Sequence, residues 1–269
     1  MKDIKIIVAT HKKYEMPRYS YYLPLHVGKK GKDDLGYVGD DTGENISEKN
    51  SFYCELTGVY WAWKNLKADY IGLVHYRRQF KGKNKKENNL FDCILSNDEI
   101  NKILNETDII LPKKRNYFIE NLYDHYKHTM YIEPLDITGE ILKEDYPEYY
   151  KYFEKLHKRT SAHMFNMFIM KREYFNSYCE WLFDILGKLE KRVGNSKYDT
   201  FHARFYGRIS ELLLDIWIEK NNLKYKEISV MSMEKVNWIQ KGGSFLLAKF
   251  TGKKSVSYTH LTLPTNSRV

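Results

Sequence analysis

The chain has 269 residues, of which 42% are hydrophobic and 15% aromatic, enough to bury one sizeable core without disulfides or structural metals. Its three cysteines form no C-x-x-C pair, which argues against a thiolate zinc site and a disulfide framework and favours a reducing compartment. The formal net charge of +9 suits nucleic acid, an anionic membrane or an anionic substrate equally, and does not choose among them.

The first segment of the chain is predicted to form a strand followed by a polar loop. Residues 3–9 form a short β-branched run, too short for the apolar part of a signal peptide, and Thr10 and His11 follow it. In open α/β sheets ligands bind at the carboxyl ends of such strands. Residues 25–50 are rich in Gly, Asp and Lys and indicate a long polar loop, which is usually functional or disordered.

The next elements predict a nucleotide-binding α/β core. Capping-box spacing at Asn45–Glu48 and apolar residues at helical intervals predict a helix over 46–66. The apolar run 69–75 predicts a second, parallel strand that ends in His75-Tyr76-Arg77-Arg78. Strand, loop, helix and strand in this order are typical of nucleotide-binding folds.

The remaining elements continue the same α/β alternation. The patterns predict a helix at 97–105, a strand at 108–112, a helical insertion over the site at about 116–160, a strand at 164–170 interrupted by Asn166, and two amphipathic helices at about 175–189 and 209–217. No apolar run approaches the roughly 20 residues that cross a bilayer, so we expect a protein that is soluble or at most peripheral.

The end of the chain differs in texture from the rest. Residues 1–253 form a single predicted domain, whereas in 254–269 Thr and Ser replace the Lys, Tyr and Trp that dominate before. We interpret this last segment as non-native or disordered and exclude it from the fold.

Two adjacent arginines are the sharpest local feature. Arg77 and Arg78 stand just past a buried strand, where permanent positive charge meets a ligand in α/β folds, and arginine binds phosphate bidentately. A solvated pair of loop arginines explains the same spacing.

Several polar residues are further candidates. Asp40, Asp41 and Asn45 lie in a loop that leads into a helix and suits sugar hydroxyls better than phosphate, although ordinary turn chemistry also accounts for it. Asn166 needs hydrogen-bond partners if it is buried, either a substrate or the backbone. Glu211 is a candidate base or a favourable carboxylate near a helix start.

Motifs for other chemistries are missing from the sequence. There is no H-E-x-x-H, G-x-S-x-G or Walker glycine loop, and no D-x-D pair of the kind that holds a divalent metal in many nucleotide-sugar transferases. His125 and His128 stand three residues apart without a third ligand at metal spacing. We therefore expect neither a cofactor nor a metal.

Together these segments resemble the bacterial capsular and exopolysaccharide biosynthesis family described as domain of unknown function (DUF4422), which includes galactofuranosyltransferases. The resemblance runs from Ile6 to about Trp217 and rests on IIVATHKK, DDTGENISEKNSFYCELTGVYWAWKN, YIGLVHYRR, NMFIMKREYFNSYCEWLF and GRISELLLDIW. It implies a glycosyltransferase-A-like α/β fold, a nucleotide-sugar donor such as one carrying galactofuranose, and a lipid-linked or polymeric glycan acceptor at the cytoplasmic face of the inner membrane.

The resemblance also implies roles for particular residues. In related folds the strand-end position holds a metal-binding acidic pair, whereas here it holds His75, Arg77 and Arg78, so arginine is expected to replace the metal in an inverting transfer. One carboxylate must deprotonate the acceptor, and Asp41 and Glu211 are the candidates. Thr10 and His11 would line the nucleotide site, with Glu55 and Asn166 facing the substrates.

Two other functional classes are alternatives to a glycosyltransferase. A nucleic-acid-binding protein would suit the basic charge and the aromatic content, but the basic residues are spread along the chain rather than gathered on one stripe. A non-catalytic glycan-binding protein of the same fold would explain the missing D-x-D pair.

Overall fold

A computed structural model describes residues 2–84, 89–194 and 197–234. The segment 254–269, expected to lie outside the fold, and the end of the expected domain at 253 fall outside the described residues. The described strands are β1 (Ile4–Thr10), β2 (Tyr22–His26), β3 (Val38–Gly39), β4 (Tyr70–His75), β5 (Arg78–Phe80), β6 (Ile109–Pro112), β7 (Arg115–Asn116), β8 (Ser161–Ala162), β9 (Phe168–Lys171), β10 (Lys226–Ile228) and β11 (Val230–Ser232).

Most of the strands form one mixed, largely parallel sheet in the order β10-β6-β9-β4-β1-β2-β3, with β5 pairing β4 and β11 pairing β5. The central pair β1 and β4 runs parallel in the register Ala9 to His75, so both strands end at the same edge. Only β9 of the main path opposes its neighbours β4 and β6. The predicted α/β class with a mostly parallel sheet is confirmed.

Helices cover the sheet on both faces. Ile7 and Ala9 of β1 pack on one side with most helices, and Ile4, Ile6 and Val8 pack on the other, so the strand reads as a continuous apolar run. The helices are α1 (Asn50–Tyr53), α2 (Leu56–Asn65), α3 (Asn97–Leu104), α4 (Leu122–Thr129), α5 (Glu133–Asp145), α6 (Pro147–Glu154), α7 (Arg172–Val193) and α8 (Phe205–Lys220).

The helix expected over 46–66 is interrupted. A 3₁₀ turn at Ser47–Lys49 leads into α1, and α2 starts afresh after Cys54, whose φ of 54° lies in the left-handed region that non-glycine residues rarely adopt. Apolar periodicity continues through the break, and for that reason the pattern did not reveal it. The interruption places Glu55 at the start of α2.

The strand expected over 164–170 starts later, at Phe168. Phe165 and Asn166 both have positive φ, 78° and 54°, and make a tight turn before β9. Because β9 is antiparallel to β4, with Phe168 opposite Leu73, this turn lies at the carboxyl end of β4. The reversed strand therefore delivers Asn166 to the edge where ligands bind in such folds.

The expected helical insertion consists of α4, α5 and α6 with the small β7–β8 ladder. Its second helix α5 packs on α7 and its third helix α6 packs on α8, so both extend the main core instead of covering the site. No described helix is long and apolar enough to cross a membrane.

Candidate active site

The carboxyl ends of β1 and β4 form the floor of the candidate site. Thr10 is buried, and its hydroxyl donates to the Lys12 carbonyl at 2.7 Å, which fixes the turn after β1. Tyr76 follows β4 and is also buried, and the His11 ring meets it edge-on with 5.5 Å between the centroids. The turn therefore places His11 and Lys12 over the end of the neighbouring strand.

Aromatic rings hold the cations of this edge in place. The Arg77 guanidinium carbon lies 5.1 Å and the Lys12 Nζ 5.2 Å from the centroid of Tyr76. The Arg78 guanidinium carbon lies 4.7 Å from the centroid of Phe165. Such contacts are attractive and preorganise the cation. We call Lys12, Arg77 and Arg78 the cationic edge.

Burial and the neighbouring cations lower the pKa of His11. Although part of its ring is accessible to solvent, enclosure by protein atoms and then the charges of Arg77, Lys12 and Arg204 lower this pKa to about 4. The imidazole is therefore neutral at pH 7. Burial, and then repulsion from Arg77, lowers the pKa of Arg78 as well. Both shifts would be relieved by a bound anion.

A hydrogen-bond network joins the turn at Asn166 to two helices. The Asn166 amide donates to Glu55 Oε1 at 2.7 Å and to the Gly207 carbonyl at 3.0 Å, while the Ser210 hydroxyl donates to Asn166 Oδ1 at 2.6 Å. The Asn166 side chain thus has three protein partners, and one of them is a carboxylate. It holds Glu55 in one position at the edge of the site.

The turn is also tied to β4. The His75 Nε2 lies 2.6 Å from the Phe165 carbonyl, and a proton on this nitrogen makes the hydrogen bond. Burial lowers the pKa of His75, so the ring donates in its neutral form. This bond closes the floor between β4 and the turn, and it gives His75 a positioning role.

Two carboxylates face the cationic edge from the side of the helices. Glu211 is almost fully buried; its Oε1 accepts from the Phe165 N–H at 3.0 Å, and its Oε2 lies 3.6 Å from Arg208 Nη1. Burial, reinforced by the charge of Glu55 and opposed by Arg208, raises the pKa of Glu211. Glu55 is only half-buried, so it is the more accessible of the two.

Asp40 has a structural position. It is fully buried, and its carboxylate accepts from the Gly28 and Lys29 N–H groups at 2.8 and 3.0 Å and from the hydroxyls of Ser47 and Thr57. Four donors occupy its two oxygens. The side chain organises the loop between β2 and α1 and has no lone pair turned towards the cleft.

Asp41 and Asn45 lie in the same loop. Asp41 is exposed, and none of its described contacts reaches Arg77, Arg78 or Glu211. Asn45 shapes a local turn, with its amide donating to Gly43 and its oxygen accepting from the Ser47 N–H. The structure therefore brings Thr10, His11, Glu55, His75, Arg77, Arg78, Asn166 and Glu211 together and leaves Asp40, Asp41 and Asn45 outside this group.

The sequence reasoning missed the basic side of α8. Arg204 and Arg208 stand seven and three residues before Glu211. Arg204, in the 3₁₀ turn that leads into α8, donates to the Cys54 thiol at 3.0 Å, and Arg208 on α8 pairs with Glu211. Residues spaced by three and four share a helix face, and this signal was present in the sequence. The contribution of Phe165 could not be read from the sequence, since it depends on a turn within an apolar run.

Metal ligands are not grouped in the described residues. No set of three or more His, Cys, Asp or Glu lies close enough to hold an ion there. The histidine pair noted in the sequence contacts one carboxylate: His125 lies 3.3 Å and His128 3.1 Å from Glu120.

Comparisons with known proteins identify the family and support the fold. The model of the family described as domain of unknown function (DUF4422) matches residues 5–222. The chain resembles the apo structure of WbbM, a bifunctional glycosyltransferase, with a TM-score of 0.80 and 34% identity over 87% of this chain. That match spans 46% of WbbM, about half of its length. Comparison with curated proteins gave no match. Because the family model matches most of its length, the chain belongs to the DUF4422 family.

Proposed function

We propose that this protein is a glycosyltransferase that moves a sugar from a nucleoside diphosphate to a lipid-linked or polymeric glycan in the synthesis of a bacterial capsule, exopolysaccharide or O-antigen. The proposal rests on one observation: the cationic edge, Glu55 and Glu211 lie together at the carboxyl ends of β1 and β4. The likeness to WbbM supports the reaction class.

The cationic edge binds the diphosphate of the donor. Arg77 and Arg78 offer bidentate donors to phosphate oxygens, and Lys12 adds a third positive charge. Thr10 and the neutral ring of His11 line the nucleotide. When the bond between the anomeric carbon and the phosphate oxygen breaks, its electron pair leaves with the diphosphate, and the fixed cations stabilise that charge. In this proposal they do so without a divalent metal or a cofactor.

A carboxylate activates the acceptor. An acceptor hydroxyl attacks the anomeric carbon from the side opposite the diphosphate while Glu55 takes its proton, so the transfer inverts the configuration. Glu55 is preferred as the base because it is accessible and held by Asn166 at 2.7 Å. Glu211 is more deeply buried than Glu55 and remains the second candidate. Asp41, which the sequence offered as a base, has no described contact with the cluster.

The donor sugar and the cellular setting follow from family resemblance. Galactofuranose is the first sugar to test, and the protein would work in the cytoplasm, peripherally at the inner membrane. WbbM is bifunctional, and this chain matches 46% of it.

Transfer to a glycan acceptor tests the proposal. The full protein is incubated with a panel of nucleotide sugars, including UDP-galactofuranose, and a polymeric glycan, and the product and released nucleoside diphosphate are measured. We expect product from one donor, and Glu55→Gln should slow transfer by about 100-fold or more, since general bases contribute 10²–10⁴-fold. Binding of the nucleotide should stay within about twofold, because the carboxamide keeps the shape of the side chain.

Other outcomes of the same experiment contradict the proposal. Glycan binding without release from any donor would indicate a non-catalytic glycan-binding protein. Binding of oligonucleotides in preference to all nucleotide sugars would indicate a nucleic-acid-binding protein. Full transfer by Glu55→Gln with loss of transfer by Glu211→Gln would reassign the base.

A further inference from the structure

An exposed apolar tip stands beside the candidate site. Phe118 is 84% and Ile119 57% exposed, the two largest exposures among the described large hydrophobic residues. They are consecutive in the chain, and neither is buried against another element. Exposing two adjacent large apolar side chains is costly in water, so such a tip indicates an interaction surface.

The base of this tip is firmly anchored. The Tyr117 N–H donates to the Thr160 carbonyl at 2.8 Å and the Leu122 N–H to the Arg159 carbonyl at 2.7 Å. Phe118 has a φ of 49°, and its N–H is held by the Asn116 side chain at 2.9 Å. The anchored backbone between these points projects the two apolar side chains outwards.

Exposed basic residues lie near the apolar tip along the chain. Lys113, Lys114 and Arg115 precede it and are exposed, and the exposed Lys158 adjoins its anchor at Arg159. Of the acidic residues beside it, Glu120 is largely buried and contacts His125 and His128, and Asp124 is exposed. An apolar tip next to a run of exposed cations complements an anionic bilayer, where the apolar groups enter the interface and the cations meet the headgroups.

The tip is attached to the reacting side of the molecule. Arg115 pairs with Ala162 in the β7–β8 ladder. Ala162 stands three residues before Phe165, so the Cα atoms of Ala162 and Phe165 are at most about 11 Å apart. Burial raises the pKa of Tyr117, and the charges of Arg115, Glu211 and Arg208 act on the same hydroxyl, which therefore lies near these groups. The tip thus directly follows a residue, Tyr117, that lies near Glu211.

We infer that Phe118 and Ile119, together with the exposed Lys113, Lys114 and Arg115 that precede them, dock the protein on an anionic lipid bilayer with the acceptor side of the cleft towards the membrane. The contact with lipid stands on the exposure and charge of the tip alone. Its use, to bring the carboxylates to an acceptor carried by the membrane, rests on the proposed function.

Vesicle binding by the full protein tests the inference. We expect sedimentation with vesicles of phosphatidylcholine and about 30% phosphatidylglycerol, and weak sedimentation with phosphatidylcholine alone. The double variant Phe118→Ser/Ile119→Ser should lose at least about tenfold in partition coefficient. Replacing Lys113, Lys114 and Arg115 by Ala should cost about fivefold for each residue. Leu90→Ser, at another residue that is 49% exposed, should leave binding unchanged.

Insertion is read directly with a label. The native cysteines are buried, so a polarity-sensitive dye can be attached selectively after Phe118→Cys. Its emission should shift to the blue on anionic vesicles, whereas the same dye after Lys30→Cys should not respond. A wild-type protein that ignores anionic vesicles, or binding that survives the double serine variant, overturns the inference.

Failure of this inference can be told apart from failure of the transferase proposal. Nucleotide release with a soluble glycan acceptor and no vesicles is measured for the double serine variant and should match the wild type. If that variant binds vesicles normally but loses transfer to soluble glycan, the apolar tip belongs to the acceptor site and the membrane assignment is wrong.

Discussion

Arg77 and Arg78 illustrate what a residue pattern can predict. Two arginines after a buried strand suggested an anion site, and the structure holds both guanidinium groups against aromatic rings at the strand ends. The sequence could not show which rings hold them, because Phe165 comes from a turn 87 residues further along the chain. Local spacing predicts a charge at an edge, and tertiary packing decides where it points.

The cationic edge should dominate affinity for a nucleoside diphosphate. We expect Arg77→Ala and Arg78→Ala each to weaken UDP binding by about 10- to 100-fold, the range of a charge-assisted hydrogen bond. Calorimetric titration measures this. Arg192→Ala serves as the matched control, because it removes an arginine of α7 that pairs with Glu144 on α5. Equal effects of all three variants would mean that net charge, rather than this edge, attracts the ligand.

Glu211 makes the protein's stability depend on pH. Its folded-state pKa is raised, chiefly by burial, so its protonated form favours the folded state and its contribution is lost as pH rises through that pKa. Glu211→Gln carries no charge at any pH. We therefore expect this variant to melt higher than the wild type at pH 8, by about 2–4 °C for each kcal/mol gained, and the gain to vanish near pH 4.

Thermal melting of the Glu211→Gln variant and the wild type at the two pH values checks this prediction. Glu154→Gln, which changes an exposed carboxylate on α6, is the control and should change the Tm by no more than about 2 °C at either pH. A variant Glu211→Gln that melts lower at pH 8 would show that attraction to Arg208 outweighs the cost of burial.

At the scale of elements, the long polar loop between β2 and α1 was predicted as a functional or disordered segment. The structure orders it around the carboxylate of Asp40, which gathers four donors. Composition predicts that such a segment is a loop, but it does not show that a buried acid folds it. Likewise, apolar periodicity predicted the helix at 46–66 and the strand at 164–170, and it missed the positive φ values of Cys54 and Asn166, which shape the site.

Asp40→Ala should act on the fold rather than on binding. The variant leaves four buried donors without their acceptor, and we expect a loss of about 3 kcal/mol or more, equivalent to a Tm lower by about 6–12 °C. UDP affinity, measured well below the melting temperature, should change by less than about threefold. Asp41→Ala, at the exposed neighbour, is the control and should leave the Tm within about 2 °C. Lost affinity in a stably folded Asp40→Ala protein would restore Asp40 as a substrate ligand.

At the scale of the whole molecule, the sheet order explains why distant segments converge. Parallel β1 and β4 end together, and the reversed β9 starts where they end, so the turn at Asn166 meets the strand ends while α8 supplies Glu211. The sequence predicted most strands and their class. It could not predict the direction of β9, since an apolar run has the same appearance in either direction.

In the proposed mechanism the cationic edge binds a nucleoside diphosphate without a metal. Its most direct test is calorimetric titration of the protein with UDP in excess chelator and again with Mn²⁺. We predict binding in chelator with an affinity that Mn²⁺ changes by less than about twofold, since the positive charges are supplied by side chains. Binding that appears only with Mn²⁺, or no binding in either buffer, would contradict metal-free binding of the diphosphate by the cationic edge.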